Sequence, residues 1–283
     1  MFDAHIHIRP GDEGRNTLLR LMKKAGMEGG ILLSQPPPCA ASPETLKTWQ
    51  ERLDNVFDWR LSGNLYPFFW VDPLEKSALQ QVHAAVERGI GGFKVICDYF
   101  EPGERRAMRI FQAIADARKP ILFHSGILWD GKPSSMYNRP VLFESLLKVR
   151  GLKFALAHIS WPWCDELLAV YGKFQEAQTR NPDLAEIFID VTPGTPEIYR
   201  REALYKLFRI GYDVENNLMF GSDCSTCDYN FPWVQKWVRY DRRIMKSLGV
   251  AARVMDKVFC GNAQRFLGLT SAKVEKHALR PGE

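Results

Sequence analysis

Eight short apolar runs, separated by longer stretches with helix signals, are the feature that most limits what this chain can fold into. Most of these runs are almost continuously apolar, which is typical of strands buried on both faces of a parallel sheet. They cover residues 2–8, 30–34, 61–71, 92–96, 121–125, 153–159, 187–191 and 218–223. Eight strand–helix alternations predict an α/β fold, a (β/α)8 TIM barrel, with a doubly wound open sheet as the alternative.

Helix signals fill the gaps between these runs. Residues 16–25 place apolar side chains on one face, and Gly26 is a typical helix end. Residues 42–44 (Ser-Pro-Glu) combine a cap, a first-turn proline and an early acid. The predicted further helices cover residues 42–59, 74–88, 104–118, 141–149, 165–178, 196–210 and 231–248.

Length and composition agree with one barrel. The chain has 283 residues, and about 250 is typical of this fold. No Ser/Gly-rich or charge-rich linker divides it, so we expect a single domain over residues 1–271 and a basic C-terminal tail at 272–283. A formal net charge of +5 is modest, and no cluster of basic and aromatic residues indicates nucleic-acid binding.

We expect neither a signal peptide nor a membrane helix in this chain. No apolar run approaches the ~20 residues that a membrane helix needs, and the motif near Phe2 leaves no room for a signal peptide. We therefore expect a cytoplasmic protein with free thiols and a small-molecule substrate, and with neither nucleic acid nor membrane as a partner. Whether it forms a homo-oligomer stays open.

The first run carries the first chemical signal. Its apolar and polar residues alternate, which predicts that Asp3, His5 and His7 project from one face of a strand. Two imidazoles spaced i, i+2 on a strand can bind one metal ion together. Alone, His-x-His is a weak motif.

Other candidate ligands stand at matching places. His124 and His158 lie near the ends of the fifth and sixth runs, and Asp223 closes the eighth. In a parallel barrel these ends gather at one mouth, where active sites are built. His83 in a predicted helix and His277 in the tail are expected to be exposed and inert. Because these histidines and the aspartate are expected to meet at one mouth, we favour a metal site over histidines that are simply buried and hydrogen-bonded in the core.

On these residues the chain resembles the amidohydrolase superfamily, specifically the amidohydrolase-related (amidohydrolase 2) metal-dependent hydrolases. The resemblance covers residues 1 to about 269 and implies a TIM-barrel enzyme. The matching elements are Asp3-Ala-His-Ile-His7, Gly92-Phe-Lys-Val95, Phe123-His-Ser-Gly126, Leu156-Ala-His158, Phe220-Gly-Ser-Asp223 and the closing segment Gly261-Asn-Ala-Gln-Arg-Phe-Leu-Gly-Leu269.

The resemblance implies a role for each candidate residue. Such families bind their metal with two histidines of the first strand, one of the fifth and an aspartate of the eighth, here His5, His7, His124 and Asp223. The histidine of the sixth strand, His158, either binds a second metal or contacts the substrate.

Lys94 bears on the number of metal ions. In some relatives the lysine of the fourth strand is carbamylated and bridges two ions, whereas an unmodified lysine is a positive charge near the substrate. An ammonium group beside a divalent cation costs free energy because the two positive charges repel each other. We favour one metal ion in the site, with two ions as the alternative. Zinc suits a histidine-rich site with one carboxylate, with manganese or iron as alternatives.

The implied chemistry is hydrolysis. A divalent metal lowers the pKa of a water molecule that it binds from about 15.7 towards 7. By analogy Asp223 orients this water and moves its proton, while His158 or Lys94 helps to polarise the scissile carbonyl. The expected reaction cleaves a C–O or C–N bond of a lactone, ester or amide.

Loop residues give the substrate clues. Tyr137 and Arg139 lie in the long segment 125–140 and can clamp an aromatic or carboxylate group, although a structural turn explains them equally well. Trp161 follows His158 and suggests a flat or apolar substrate.

Two other classes of function stay open. One is a metal-dependent non-oxidative decarboxylase, a lyase resembling aminocarboxymuconate semialdehyde decarboxylase, for which Lys94 and Arg139 are suitable carboxylate-binding cations. The other is a catalytically silent barrel that binds a small molecule or a partner.

Overall fold

The structure is a computed structural model that describes residues 1–9, 14–38, 47–59 and 64–269. The strands in this part of the chain are β1 Phe2–His7, β2 Gly29–Leu33, β3 Asn64–Trp70, β4 Gly92–Val95, β5 Ile121–Phe123, β6 Lys153–Leu156, β7 Glu186–Asp190, β8 Leu218–Met219 and β9 Cys224–Ser225. The α-helices are α1 Arg15–Ala25, α2 Trp49–Asp58, α3 Ala78–Glu87, α4 Arg105–Asp116, α5 Cys164–Arg180, α6 Glu197–Arg209, α7 Phe231–Ser247, α8 Ala252–Asp256 and α9 Asn262–Phe266.

The strands form one parallel sheet that closes on itself. Their spatial order is β8-β7-β6-β5-β4-β3-β2-β1-β9, and β8 and β9 are two pieces of the segment 218–225. This segment pairs with β7 on one side and with β1 on the other. There the amide of Ala4 donates to the carbonyl of Phe220, and the amide of Asp223 to that of His5, both at 2.9 Å. Closure confirms the TIM barrel over the open sheet.

The predicted elements and the observed ones agree closely. A strand lies in each of the eight apolar runs, and α1 ends at Gly26, whose φ of 79° is left-handed. The predicted helix at 141–149 is a 3-10 helix, Pro140–Lys148. The predicted helix at 42–59 is wrong at its start: α2 begins at Trp49, because Thr48 has an extended backbone and forms a capping box with Glu51. Residues 42–44 and the tail at 272–283 lie outside the described residues.

The first strand departs from the predicted alternation. Its pairing with β2 shifts register between Asp3 and Ile6, so one extra residue is accommodated there and the faces switch. Ala4 packs in one apolar cluster with residues of β2, β3 and β5 to β8, which meet only inside the barrel. Ile6 packs instead in the cluster between the sheet and the helices. The prediction that Asp3 shares a face with His5 is therefore wrong.

The interior is filled at its N-terminal end and open at the other. Phe266 of α9 packs under the barrel, with its ring 5.0 Å from that of Phe188 and 6.1 Å from that of Phe68. The C-terminal ends of the strands are left to polar side chains. Among the described helices, none is both long enough and apolar enough to cross a membrane.

Candidate metal centre

A cavity of about 490 Å³ opens at the C-terminal ends of the strands. Its lining includes every residue that the sequence assigned to the metal site, namely His5, His7, Lys94, His124, His158 and Asp223. His5 and His7 share β1, and the other four come from β4 or from the segments that follow β5, β6 and β8, so the barrel brings the set together. His83 lies apart, exposed on α3, and His277 lies outside the described residues.

His5, His7 and Asp223 point three donor atoms at one small volume. The Nε2 atoms of His5 and His7 are 3.1 Å apart. Oδ1 of Asp223 lies 3.2 Å from Nε2 of His7 and 3.5 Å from Nε2 of His5. Ligands of a tetrahedral zinc ion with Zn–N bonds of about 2.1 Å are about 3.4 Å from each other. The spacing therefore fits a single bound ion.

Asp190 holds His5 in the form that a metal needs. Both side chains are fully buried, and Nδ1 of His5 lies 2.6 Å from Oδ2 of Asp190. Burial, followed by the positive charge of Lys94, holds the pKa of His5 well below its usual value. Burial raises the pKa of Asp190 to about 6, so it is mainly ionised at neutral pH. Neutral His5 thus donates its Nδ1 proton to Asp190 and presents a lone pair at Nε2.

His124 has a different tautomer. Its Nε2 lies 3.2 Å from the carbonyl oxygen of Ile127, and since a carbonyl only accepts, Nε2 carries the proton. Burial, together with His158 and Lys94, holds the pKa of His124 well below its usual value. The atom of His124 that is left for a metal is Nδ1.

His158 is held by Thr192 at the wall of the cavity. Thr192 Oγ1 accepts from the amide of His158 at 3.2 Å and lies 2.7 Å from its Nδ1. The Thr192 hydroxyl has one proton and two lone pairs, so it pairs with either tautomer of His158; when it donates to Nδ1, the proton of the neutral imidazole is on Nε2. Burial lowers the pKa of His158 to about 4. A ring nitrogen of His158 and donor atoms of His5 and Asp223 all lie within 4.8 Å of one another, so His158 is placed either to bind a metal ion or to contact the substrate.

The backbone that carries His158 is strained. His158, Ile159 and Ser160 have φ of 62°, 49° and 52°, a left-handed conformation that costs about 1–3 kcal/mol per residue. Thr195 donates its hydroxyl to the carbonyl of His158 at 2.9 Å. Gly194 makes room for the ring, because a Cβ there would lie 2.6 Å from Cβ of His158.

Asp223 combines openness with an ionised side chain. It is 40% exposed, since it faces the cavity. Burial by itself would raise the pKa of Asp223. The hydrogen bond with His7 and the nearby His158 and His5 outweigh this effect and hold the pKa well below its usual value. Its φ of 60° is also left-handed. The strand ends in a conformation that aims a carboxylate at the two histidines of β1.

Lys94 lies on β4 in the wall of the cavity and is only 1% exposed. Burial lowers its pKa to about 8, against the opposing charges of Asp223 and Asp190. Near neutral pH it is therefore mainly an ammonium group, with a fraction of neutral amine.

The structure places one of the three predicted substrate-binding residues at the cavity and two away from its lining. Trp161 lines the cavity, whereas Tyr137 and Arg139 are not among the residues that line it. Arg139 instead pairs with Glu166 at 2.5 Å, and Tyr137 packs against the apolar core. Their geometry fits the alternative of a structural turn.

Sequence reasoning missed several residues of the site. Arg9, Gln35, Trp70 and Trp129 line the cavity, and their signal is position, since the first three stand at or just after the ends of β1, β2 and β3. Gly221 was missed as well, although a Cβ there would lie 2.6 Å from Cβ of His5.

Asp3 braces the strand that carries the histidines and does not touch an imidazole. Its Oδ1 accepts from the amides of His5 at 3.2 Å and Ser222 at 2.8 Å. Its Oδ2 accepts from the hydroxyl of Tyr229 at 2.8 Å. Asp3 therefore ties β1 to the segment before Asp223.

Comparisons with known proteins bear on the fold and the family of the chain. A search of curated proteins finds no match to the chain. Similar solved structures include 2,6-dihydroxybenzoate decarboxylase from Rhizobium, with a TM-score of 0.60, 14% identity, and coverage of 94% of this chain and 97% of that one. An amidohydrolase from Burkholderia multivorans with bound zinc has a TM-score of 0.62 and 13% identity, covering 95% and 99%. Dihydroorotase from Campylobacter jejuni has a TM-score of 0.58 and 15% identity, covering 95% and 83%.

At such identities the solved structures establish a shared fold. The family follows from the sequence, because the model of the amidohydrolase family matches residues 43–269, well over half of the chain. The chain therefore belongs to the amidohydrolase family and is a metal-dependent enzyme of that superfamily.

Proposed function

We propose that this enzyme is a hydrolase that cleaves a C–O or C–N bond in a small lactone, ester or amide. The observation that carries the proposal is the position of Asp223. Its carboxylate is ionised, open to the cavity and 3.2 Å from Nε2 of His7. An acceptor at that place can take a proton from a water molecule bound between the strand ends.

The donor set suits one zinc ion. His5 and His7 through Nε2, His124 through Nδ1, and Asp223 through Oδ1 would hold it. When bound, zinc supplies a Lewis acid that acidifies water and polarises a carbonyl group. Manganese or iron, and a second ion bridged by carbamylated Lys94, are the alternatives; the pKa of Lys94 near 8 leaves some neutral amine for that modification.

The side chains of this protein divide the work of hydrolysis. Asp223 accepts the proton of the attacking water and returns it to the leaving group. In the tautomer in which the Thr192 hydroxyl donates to Nδ1, His158 donates from Nε2 to the carbonyl oxygen as negative charge develops there. Trp70 and Trp161 flank the cavity and favour a flat or apolar part of the substrate. The proposed partner is thus a small molecule, and the proposed location is the cytoplasm.

A decarboxylase is the second candidate. Lys94 and Arg9 both line the cavity, and two cations near a metal suit a substrate carboxylate. One protein of similar fold is a 2,6-dihydroxybenzoate decarboxylase.

Isotope labelling distinguishes the two reactions. The zinc-loaded enzyme is incubated in H₂¹⁸O with 2,6-dihydroxybenzoate and, separately, with γ-butyrolactone, 4-nitrophenyl acetate and N-acetylglycine. Hydrolysis predicts ¹⁸O in the carboxylate product of at least one lactone, ester or amide, and loss of that label with D223N. Release of CO₂ from the benzoate, without a labelled acid from any other probe, would support the decarboxylase instead.

A further inference from the structure

Arg200 of α6 and Asp241 of α7 form a fully buried ion pair behind the cavity. Both side chains are inaccessible to solvent. The guanidinium binds the carboxylate through two atoms, Nε to Oδ1 at 2.9 Å and Nη2 to Oδ2 at 2.6 Å. Neither residue lines the cavity. An apolar pair of similar volume is often as stable or more stable, so stability alone does not explain this pair.

The remaining donors of Arg200 reach the backbone just after β7. Nη1 donates to the carbonyl of Thr192 at 3.2 Å, and Nη2 also donates to the carbonyl of Val191. Asp241 holds the guanidinium plane, and the guanidinium holds two successive carbonyl groups. A planar, five-donor fork is needed to make all these contacts at once.

The backbone that Arg200 holds carries both supports of the site histidines. Asp190 accepts the Nδ1 proton of His5 at 2.6 Å, and Oγ1 of Thr192 is hydrogen-bonded to Nδ1 of His158 at 2.7 Å. The amide of Thr192 in turn donates to Oδ1 of Asp190 at 2.9 Å. The two supports therefore move as one unit, and a displacement of this turn would disturb both histidines.

We infer that Arg200 and Asp241 are positioning residues that set the orientation of His5 and His158 through the Asp190–Thr192 turn. The inference rests on the proposed metal-dependent function, because it assigns His5 to the metal and His158 to the substrate. It predicts that replacing the pair changes the geometry of the site even when the fold survives.

The test replaces the pair with apolar residues, Arg200→Met/Asp241→Leu, and measures three properties. These are the free energy of unfolding without metal, the zinc affinity by competition with a chelator, and the visible absorption spectrum of the cobalt-loaded protein. The matched control is Lys236→Met/Glu197→Gln. That pair also joins α6 and α7, at 2.7 Å, but it is half-exposed.

We expect the buried double variant to remain folded, to bind zinc at least about tenfold more weakly, and to change the cobalt spectrum, whereas the control matches wild type. Zinc affinity and cobalt spectrum equal to wild type in the buried double variant would overturn the inference. If that variant does not fold, Arg200→Lys is used, since lysine keeps the charge but lacks the fork; the same two outcomes apply. A wild-type protein that binds neither metal would overturn the proposed function itself, and the inference with it.

Discussion

Oδ2 of Asp190 lies 2.6 Å from Nδ1 of His5, although 185 positions separate the two residues. Both side chains are fully buried, so no water competes for this hydrogen bond. The carboxylate selects the tautomer of His5 and leaves Nε2 as a metal-binding atom. Asp190, the last residue of β7, thus orients a proposed metal ligand on β1, the strand that carries both His5 and His7.

Asp190→Asn is expected to weaken zinc binding by about 10- to 100-fold, the usual effect of losing a carboxylate behind a ligating histidine. The amide is nearly the same size and can still accept from the amide of Thr192, so the fold should survive. Chelator competition measures the affinity, and circular dichroism checks the fold. Unchanged zinc affinity would show that Asp190 does not orient His5.

Gly194→Ala is expected to displace His158, because the new Cβ would lie 2.6 Å from Cβ and 2.8 Å from Nδ1 of that residue. We predict a loss of about 1–3 kcal/mol in the free energy of unfolding and at least a tenfold fall in hydrolysis, since 1 Å of misplacement can cost about 100-fold. Gly261→Ala is the control, because its Cβ meets only Lys257, at 3.9 Å. Equal effects of the two substitutions would contradict the role given to Gly194.

The pH dependence of stability tests the burial of Asp3. Its pKa is raised from 3.8 to about 6, mainly by burial, so between these values the folded state binds more protons than the unfolded state. Its contribution to stability is therefore present below pH 3.8 and is lost as the pH rises through about 6. Relative to Asp3→Asn, wild type should lose up to roughly 3 kcal/mol across that window.

The comparison for Asp3 uses chemical unfolding of both proteins with a chelator present, since metal binding has its own pH dependence. The asparagine is isosteric and can still accept from the amide of Ser222. A difference in unfolding free energy that stays constant between pH 4 and 7 would contradict the raised pKa.

Asp223→Asn is expected to abolish turnover while the fold stays intact. The amide cannot take a proton from water, and general base catalysis contributes about 100-fold to 10,000-fold in rate. Steady-state kinetics on the substrate found by labelling measures the loss, and the melting temperature checks the fold. Activity near that of wild type would contradict both the assignment of Asp223 and the proposed mechanism.

The sequence predicted the barrel and the cavity lining because those features have simple periods. Apolar runs identify buried strands, and polar residues at the ends of parallel strands must meet at one mouth. His124 and Asp223 were found in this way, without any information on distance. Alternation failed at Asp3 because it assumes an uninterrupted strand, and one extra residue in β1 reverses the faces.

The residues that hydrogen-bond to the site histidines could not be predicted from the sequence, for a different reason. Asp190 and Thr192 are single polar residues at the end of an apolar run, and their partners are decided by which strands become neighbours. Arg139 is the opposite case: the sequence left both a substrate contact and a structural turn open for it, and it pairs with Glu166 of α5. Pairings between distant segments depend on side-chain packing, which no local pattern encodes.

The most direct test of a metal-dependent enzyme is elemental analysis of the purified protein beside the His5→Ala/His7→Ala variant. We predict about one equivalent of zinc in wild type and loss of that zinc in a folded variant. Two equivalents would indicate the bridged alternative with modified Lys94. Wild-type protein that neither contains nor takes up zinc, manganese or iron would contradict the assignment of this cavity as a metal site.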